Sequence, residues 1–170
     1  VIHPAGTHNV SFRLDGLTSA NATNKTVEFW KLKKVTWRLE ETIKTVAPAC
    51  DRHVPASTQD PEKKSLPRNE VRVLGEKHLH DGWKSDFSGT DGKVEMEFDY
   101  FANQYKSHTK ELKFACDTKS LGGVEVTHSL LVGLVVSREY APEGKPQLAT
   151  QTGTGRILRM HYGVVMTAHA

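Results

Sequence analysis

The sequence predicts an all-β fold, an antiparallel β-sandwich of about seven strands. Three observations predict it. Apolar side chains recur at every second position over several segments, which is the period of a half-buried strand. Stretches rich in Gly, Pro, Asn, Asp and Ser separate those segments. Helical periodicity is missing between them, so the strands have no crossover helices to make them parallel and pair instead in the manner of an immunoglobulin-like sandwich.

Taken in order, Val10, Phe12 and Leu14 alternate with Ser11, Arg13 and Asp15, giving a first strand over residues 8–15 that Gly16 ends. The segment Thr18 to Thr26 is crowded with Ser, Thr and Asn and reads as a turn. A short strand at Val27 to Leu32 leads into a long one in which Val35, Trp37, Leu39 and Ile43 alternate with Thr36, Arg38, Glu40 and Lys44. Trp37 is the expected core anchor. Glu41 falls on the inward phase, which requires a bulge, a twist to an edge or a satisfied partner, and the strand is expected to leave the core there. Pro48 to Asn69 holds Pro48, Pro55, Pro61 and Pro67 among polar residues and reads as a mobile loop.

Val71, Val73 and Leu79 mark a third strand region, and Val94, Met96, Phe98 and Tyr100 a fourth with clean alternation. The turn Ser88 to Gly92 lies between them, and residues 101–120 form a second long, basic-leaning connection. Val124 to Ser137 is apolar at nearly every position, as in a central strand covered on both sides. Leu158, Met160, Tyr162, Val164 and Met166 form the last strand, after a turn at Thr150 to Gly155.

The 170 residues fit a single domain spanning 1–170. With 37% hydrophobic and 25% charged residues the chain has the composition of a folded globular domain. A net charge of +3 is too small to imply a nucleic-acid partner. The longest apolar run, Leu130 to Val136, is far short of the roughly 20 residues a helical membrane span needs. The chain opens Val-Ile-His-Pro without Met or leader, which reads as a piece of a longer protein.

Catalytic chemistry leaves a signature of spacing, and no G-x-S-x-G elbow, H-E-x-x-H pair or P-loop is present. Gly153-Thr-Gly155 precedes a strand rather than joining strand to helix, so it reads as a tight turn and not a dinucleotide cradle. Cys50-x-x-His53 and His78-x-His80 hint at metal ligation, yet neither completes the four-ligand set of a structural zinc site. No metal or other cofactor is expected. The densest basic cluster, Lys31, Lys33, Lys34 and Arg38, is the candidate binding site, facing an acidic membrane surface or an acidic protein segment. Lys63, Lys64 and Arg68 form a second cluster in the loop.

Several segments in order resemble the arrestin-related trafficking adaptors of fungi, the α-arrestins, and in particular their C-terminal lobe. They are Val35-Thr-Trp-Arg-Leu-Glu-Glu41, Leu79-His-Asp-Gly-Trp-Lys-Ser-Asp-Phe87 followed by Val94-Glu-Met-Glu-Phe98, Gly123-Val-Glu-Val-Thr-His128, and Thr152-Gly-Thr-Gly-Arg-Ile-Leu-Arg-Met160. The resemblance implies an arrestin-type sandwich in a non-enzymatic cytoplasmic adaptor, recruited peripherally to plasma, endosomal or Golgi membranes. Its partners would be cytosolic segments of plasma-membrane transporters and a WW-domain HECT ubiquitin ligase that drives their endocytosis. The ligase is engaged through Pro-Pro-x-Tyr motifs, which dock as extended segments on aromatic grooves. This chain holds none, so that contact would fall outside it.

The rival reading is a secreted or cell-surface immunoglobulin-like adhesion domain with Cys50 bridged to Cys116 and glycans on Asn9, Asn21 and Asn24. Both cysteines sit in loop-like contexts, which disfavours it, and the sequons at Asn21 and Asn24, in the Thr18 to Thr26 segment, also suit plain turn chemistry.

Overall fold

The computed structural model describes residues 1–48, 65–102 and 115–168. Nine strands run through these residues: β1 (Thr7–Asp15), β2 (Thr18–Asn21), β3 (Thr26–Pro48), β4 (Ser65–Leu79), β5 (Trp83–Asp86), β6 (Lys93–Phe101), β7 (Thr118–Lys119), β8 (Val124–Pro142) and β9 (Thr150–Val164). A single 3-10 turn at Pro146–Leu148 interrupts them. They form two antiparallel sheets, one of three strands in the order β1-β6-β5 and one of six strands built around β3 and β8. The expected β-sandwich is the observed fold, with more strands than the alternation revealed.

β3 is 23 residues long and pairs with β8 from Thr26 opposite Pro142 to Thr45 opposite Val124. Its other edge carries β2 and then β4 in succession. The far edge of β8 takes β9 and the two-residue β7. A parallel bridge between Ile2 and Met166 ties the first residues to the segment after β9.

The core lies between the sheets. Val35, Trp37 and Leu39 of β3 and Leu130, Val132, Leu134 and Val136 of β8 meet Val94, Met96, Phe98 and Tyr100 of β6. Trp37 is fully buried, as its phase predicts, and stands edge-on to Tyr100 and Phe101 at centroid distances of 6.3 and 5.6 Å. Gly75 makes room for it. A Cβ there would lie 2.2 Å from the Phe101 carbonyl oxygen and 3.1 Å from the indole, so no larger residue fits.

The sheets are unequal, and the smaller one covers β9 only in part, with Met160 and Val164 packed against the core. Leu158 and Tyr162 therefore stay 39% and 46% exposed, although they face the same side as the buried Leu134 and Leu130 with which they pair. An open apolar groove of about 290 Å³ remains between β1 and β9, lined by Phe12, Val132, Met160 and Tyr162 among others.

Several expectations are corrected. Thr18 to Thr26 is a hairpin whose first arm is β2, with only residues 22–25 turning. The segments 27–32 and 35–44 are one strand, because a bulge at Lys33 interrupts the alternation without ending the ladder. The loop expected from Pro48 to Asn69 ends early: residues 49–64 lie outside the described residues, but Ser65 onward is strand β4, paired along β3. Pro67 is tolerated there because β4 pairs with β3 alone among the described strands, and an edge strand need not donate every N–H. β8 is central in its sheet but alternates in burial, so it is covered fully on one face only. The Thr150 to Gly155 turn is the start of β9, with Gly153 at φ 76 and a register break opposite Arg138 absorbing the irregularity.

Trp37→Ala should lower stability by about 3 to 5 kcal/mol through the cavity it leaves, and Gly75→Val should be severely destabilising through overlap with the Phe101 carbonyl. Urea unfolding midpoints read both. A Trp37→Ala midpoint equal to the parent's would contradict the packing described above.

Candidate functional site

The basic candidates are placed by the bulge in β3. Leu32 faces Val136 and Lys34 faces Val135, which leaves Lys33 as the extra residue. An extra residue turns its side chain out of strict alternation, so Lys31 and Lys33 reach the same carboxylate. Their Nζ atoms lie 2.6 and 3.3 Å from the two oxygens of Glu139 on β8, a residue only 6% exposed. The hydrogen bond from Lys31, and then its charge and that of Lys33, hold the Glu139 carboxyl below its ordinary range against the opposing effect of burial.

Arg38 is drawn elsewhere. Its guanidinium donates to Glu76 at 3.3 Å and to Glu40 at 3.4 Å. These bonds, Glu76 first, raise its already high pKa further. Lys34 alone of the four has no ion pair among the described residues. The structure thus brings Lys31 and Lys33 together on one carboxylate and gives Arg38 and Lys34 other surroundings. Sequence reasoning missed Glu139, whose signal is the break in apolar alternation at Ser137-Arg-Glu139.

A second constellation is built across the strands in one row. Glu41 on β3 is the direct ladder partner of His128 on β8 and of Arg72 on β4. Glu41 and His128 are buried, at 0% and 2% exposure. His128 Nε2 lies 3.2 Å from Glu41 Oε2, and its Nδ1 contacts Asp117 Oδ1. Arg72 reaches Glu41 Oε1 at 2.7 Å as an ion pair, without the angle of a hydrogen bond. The backbone N–H of Ala115 donates to Glu41 Oε2 at 2.8 Å, and that of Met166 to Asp117 Oδ1 at 2.9 Å. Glu41 therefore does not lead the strand out of the core as expected: it stays inside because the cross-strand row supplies its partners.

His78 sits 3.4 Å from Thr36 Oγ1 and 3.6 Å from Glu76, while Cys50 and His53 lie outside the described residues. Among the described residues no group of three or more His, Cys, Asp or Glu side chains is arranged to hold a metal. Cys116 is an unpaired thiol there. Asn21 accepts the backbone N–H groups of Thr23 and Asn24 at 3.0 and 3.3 Å, and Asn9 donates to Asp99 at 2.9 Å. No helix of the described residues is long and apolar enough to cross a membrane.

The matches to known proteins agree with a fold of this kind. A family model described as LDB19, Arrestin_N terminal like, matches residues 1–56, which include the whole basic cluster and Glu41. The chain is 36% identical over 86 residues to an uncharacterized protein of Schizosaccharomyces pombe, covering 51% of this chain and 20% of that protein. A second uncharacterized protein of the same yeast is 24% identical over 161 residues, covering 94% of this chain and 37% of the relative. Protein LDB19 of Saccharomyces cerevisiae is 30% identical over 84 residues, covering 45% and 10% respectively. The matched stretches thus span well under half of each relative's length. With the two-sheet fold they support an arrestin-like fungal protein. The matched model is described as N-terminal, so these matches lend no support to the C-terminal lobe expected from the sequence.

Two outcomes follow from the ion pairs. Glu41→Ala or His128→Ala alone should each cost about 1 to 3 kcal/mol, since each leaves a buried polar atom of the other without one of its partners, and the double variant should cost clearly less than their sum; additive midpoints would show that the pair is not coupled. Glu139 has a lowered folded-state pKa, so its contribution is present above the ordinary carboxylate range and is lost as pH falls through the folded value. Glu139→Gln should therefore be less stable than the parent at pH 7, with the gap closing towards pH 3. A gap that widened on acidification would reverse the assignment.

Proposed function

We propose that this chain is an arrestin-type lobe of a trafficking adaptor that recognises plasma-membrane transporters for ubiquitin-ligase-dependent endocytosis. The observation that carries the reading is the arrestin match over residues 1–56, which contains β1, β2 and the whole of β3. The same match favours an N-terminal over a C-terminal lobe. The chain works by binding rather than catalysis, at cytoplasmic faces of membranes, and the HECT-type ligase is engaged through WW-binding motifs elsewhere in the protein.

Lys31, Lys33, Lys34 and Arg38 form the basic side offered to anionic partners, but they contribute unequally. Three of them already serve carboxylates of this chain, so Lys34 has the most charge left for a partner. Reversing Lys33 is also not neutral for stability, as the simple picture of a solvated strand face would have it. A glutamate there would stand beside the shielded Glu139.

The test is made in fungal cells lacking the full-length protein, by following fluorescent plasma-membrane transporters to the vacuole after a stimulus that triggers their uptake. At least one transporter should be delivered more slowly, with recovery on return of the full-length protein but not of its Trp37→Asp variant. Parental delivery rates for every transporter tested would overturn the adaptor reading.

A further inference from the structure

The outer face of the six-stranded sheet holds cations that the sequence does not place together. Ladder pairing puts Lys34, Val135 and Ile157 in one row across β3, β8 and β9, and Thr36, Gly133 and Arg159 in the next. Their neighbours along the strands, Val35, Trp37, Leu134 and Val132, are buried between the sheets, so these rows point away from the core. Lys34 and Arg159 stand two strands apart, roughly 10 Å across the sheet.

Their charge is not spent on carboxylates among the described residues. The carboxylates near this face are already engaged: Glu139 by Lys31 and Lys33, and Glu40 and Glu76 by Arg38. Neither Lys34 nor Arg159 has an ion pair among the described residues, so their charge is left for an outside partner. Ile157 stands on the same rows and is 59% exposed.

Gly133 is unusual where it is. Glycine in a strand interior forfeits stability, and neither conformation nor packing calls for it: a Cβ there would meet nothing closer than Thr36 at 3.9 Å. Its effect is to keep the centre of the face low between the two cations. A low, broad surface with separated cations and an exposed aliphatic side chain suits a plane of headgroups, with Lys34 and Arg159 on phosphates and Ile157 between chains.

We propose that this face, centred on Lys34, Gly133, Ile157 and Arg159, docks on a bilayer carrying anionic lipid. The adaptor reading supplies the reason for a membrane to be near, and the contact deepens it by assigning the membrane-facing surface. The test uses the full-length protein and flotation with vesicles of phosphatidylcholine alone or with about one third phosphatidylserine.

Binding should require the anionic lipid, weaken as salt shortens the Debye length to about 10 Å or less, and fall at least about tenfold in Lys34→Glu/Arg159→Glu. Ile157→Ser should weaken it at every salt concentration. Lys84→Glu/Lys145→Glu makes the same change in net charge at exposed positions away from this face and should bind like the parent, and unfolding midpoints should show that all variants fold.

Parental flotation of Lys34→Glu/Arg159→Glu overturns the proposal, as does an equal loss in Lys84→Glu/Lys145→Glu. A parent that ignores anionic vesicles while transporter delivery still depends on the protein refutes the bilayer contact and leaves the adaptor reading standing. Loss of that dependence with vesicle binding intact does the reverse.

Discussion

The pairing of β3 with β8 is the constraint on which the rest of the molecule depends. Two long antiparallel strands share a ladder from Thr26 opposite Pro142 to Thr45 opposite Val124, and every other strand of the larger sheet pairs with one of them. Their inward side chains are the floor on which the smaller sheet rests. Strands of that length twist, and a continuous apolar stripe cannot stay over one core for the whole distance without a change of phase. The bulge at Lys33 and the register break opposite Arg138 supply that change near one end, after which burial passes to Phe29, Glu139 and Ala141.

The same ladder explains a row of charge inside an otherwise apolar sandwich. Arg72, Glu41 and His128 occupy one register across β4, β3 and β8. Such a row is weak evidence for net stability, because burying ions costs about as much as their attraction returns. Its physical effect is on register. Moving β8 by one residue would set Glu41 opposite Thr127 or Ser129 and leave a buried carboxylate without its imidazole, a penalty no apolar pair would impose. Through the Ala115 and Met166 amides the row also fastens two segments outside the long strands to the sheet.

Much of this was legible in the sequence, for a physical reason. Strands that face a core on one side and water on the other must alternate, and β1, the middle of β3, β6 and the second half of β9 announce themselves in that way. β2, β5 and β7 are only two to four residues long and almost wholly exposed, so they bury too little to impose a period. Their existence depends on a neighbour's free edge, which is a tertiary fact. β4 was visible at Val71 and Val73 but not at Arg68 or Asn69, where the partner β3 and not local composition makes the strand. The arrestin resemblance rested in part on short segments around Glu41 and His128, which meet in space as ladder partners, whereas the choice of lobe rested on nothing those residues do.

The basic site shows where one-dimensional reading fails. Residues two apart on a strand are separated by roughly 7 Å, while cross-strand partners stand closer, at about 4.5 to 5.5 Å. The charge a lysine feels is therefore set more by the neighbouring strand than by its own. Lys31 and Lys33 look like half of a patch along the chain, yet most of their field closes on Glu139. Arg159 looks isolated along the chain, yet it lies in the row next to Lys34 across β8. A run of like charge becomes a patch only where the facing strands decline to neutralise it. On this sheet that condition is met around Gly133, where the facing residues are Val135 and a glycine.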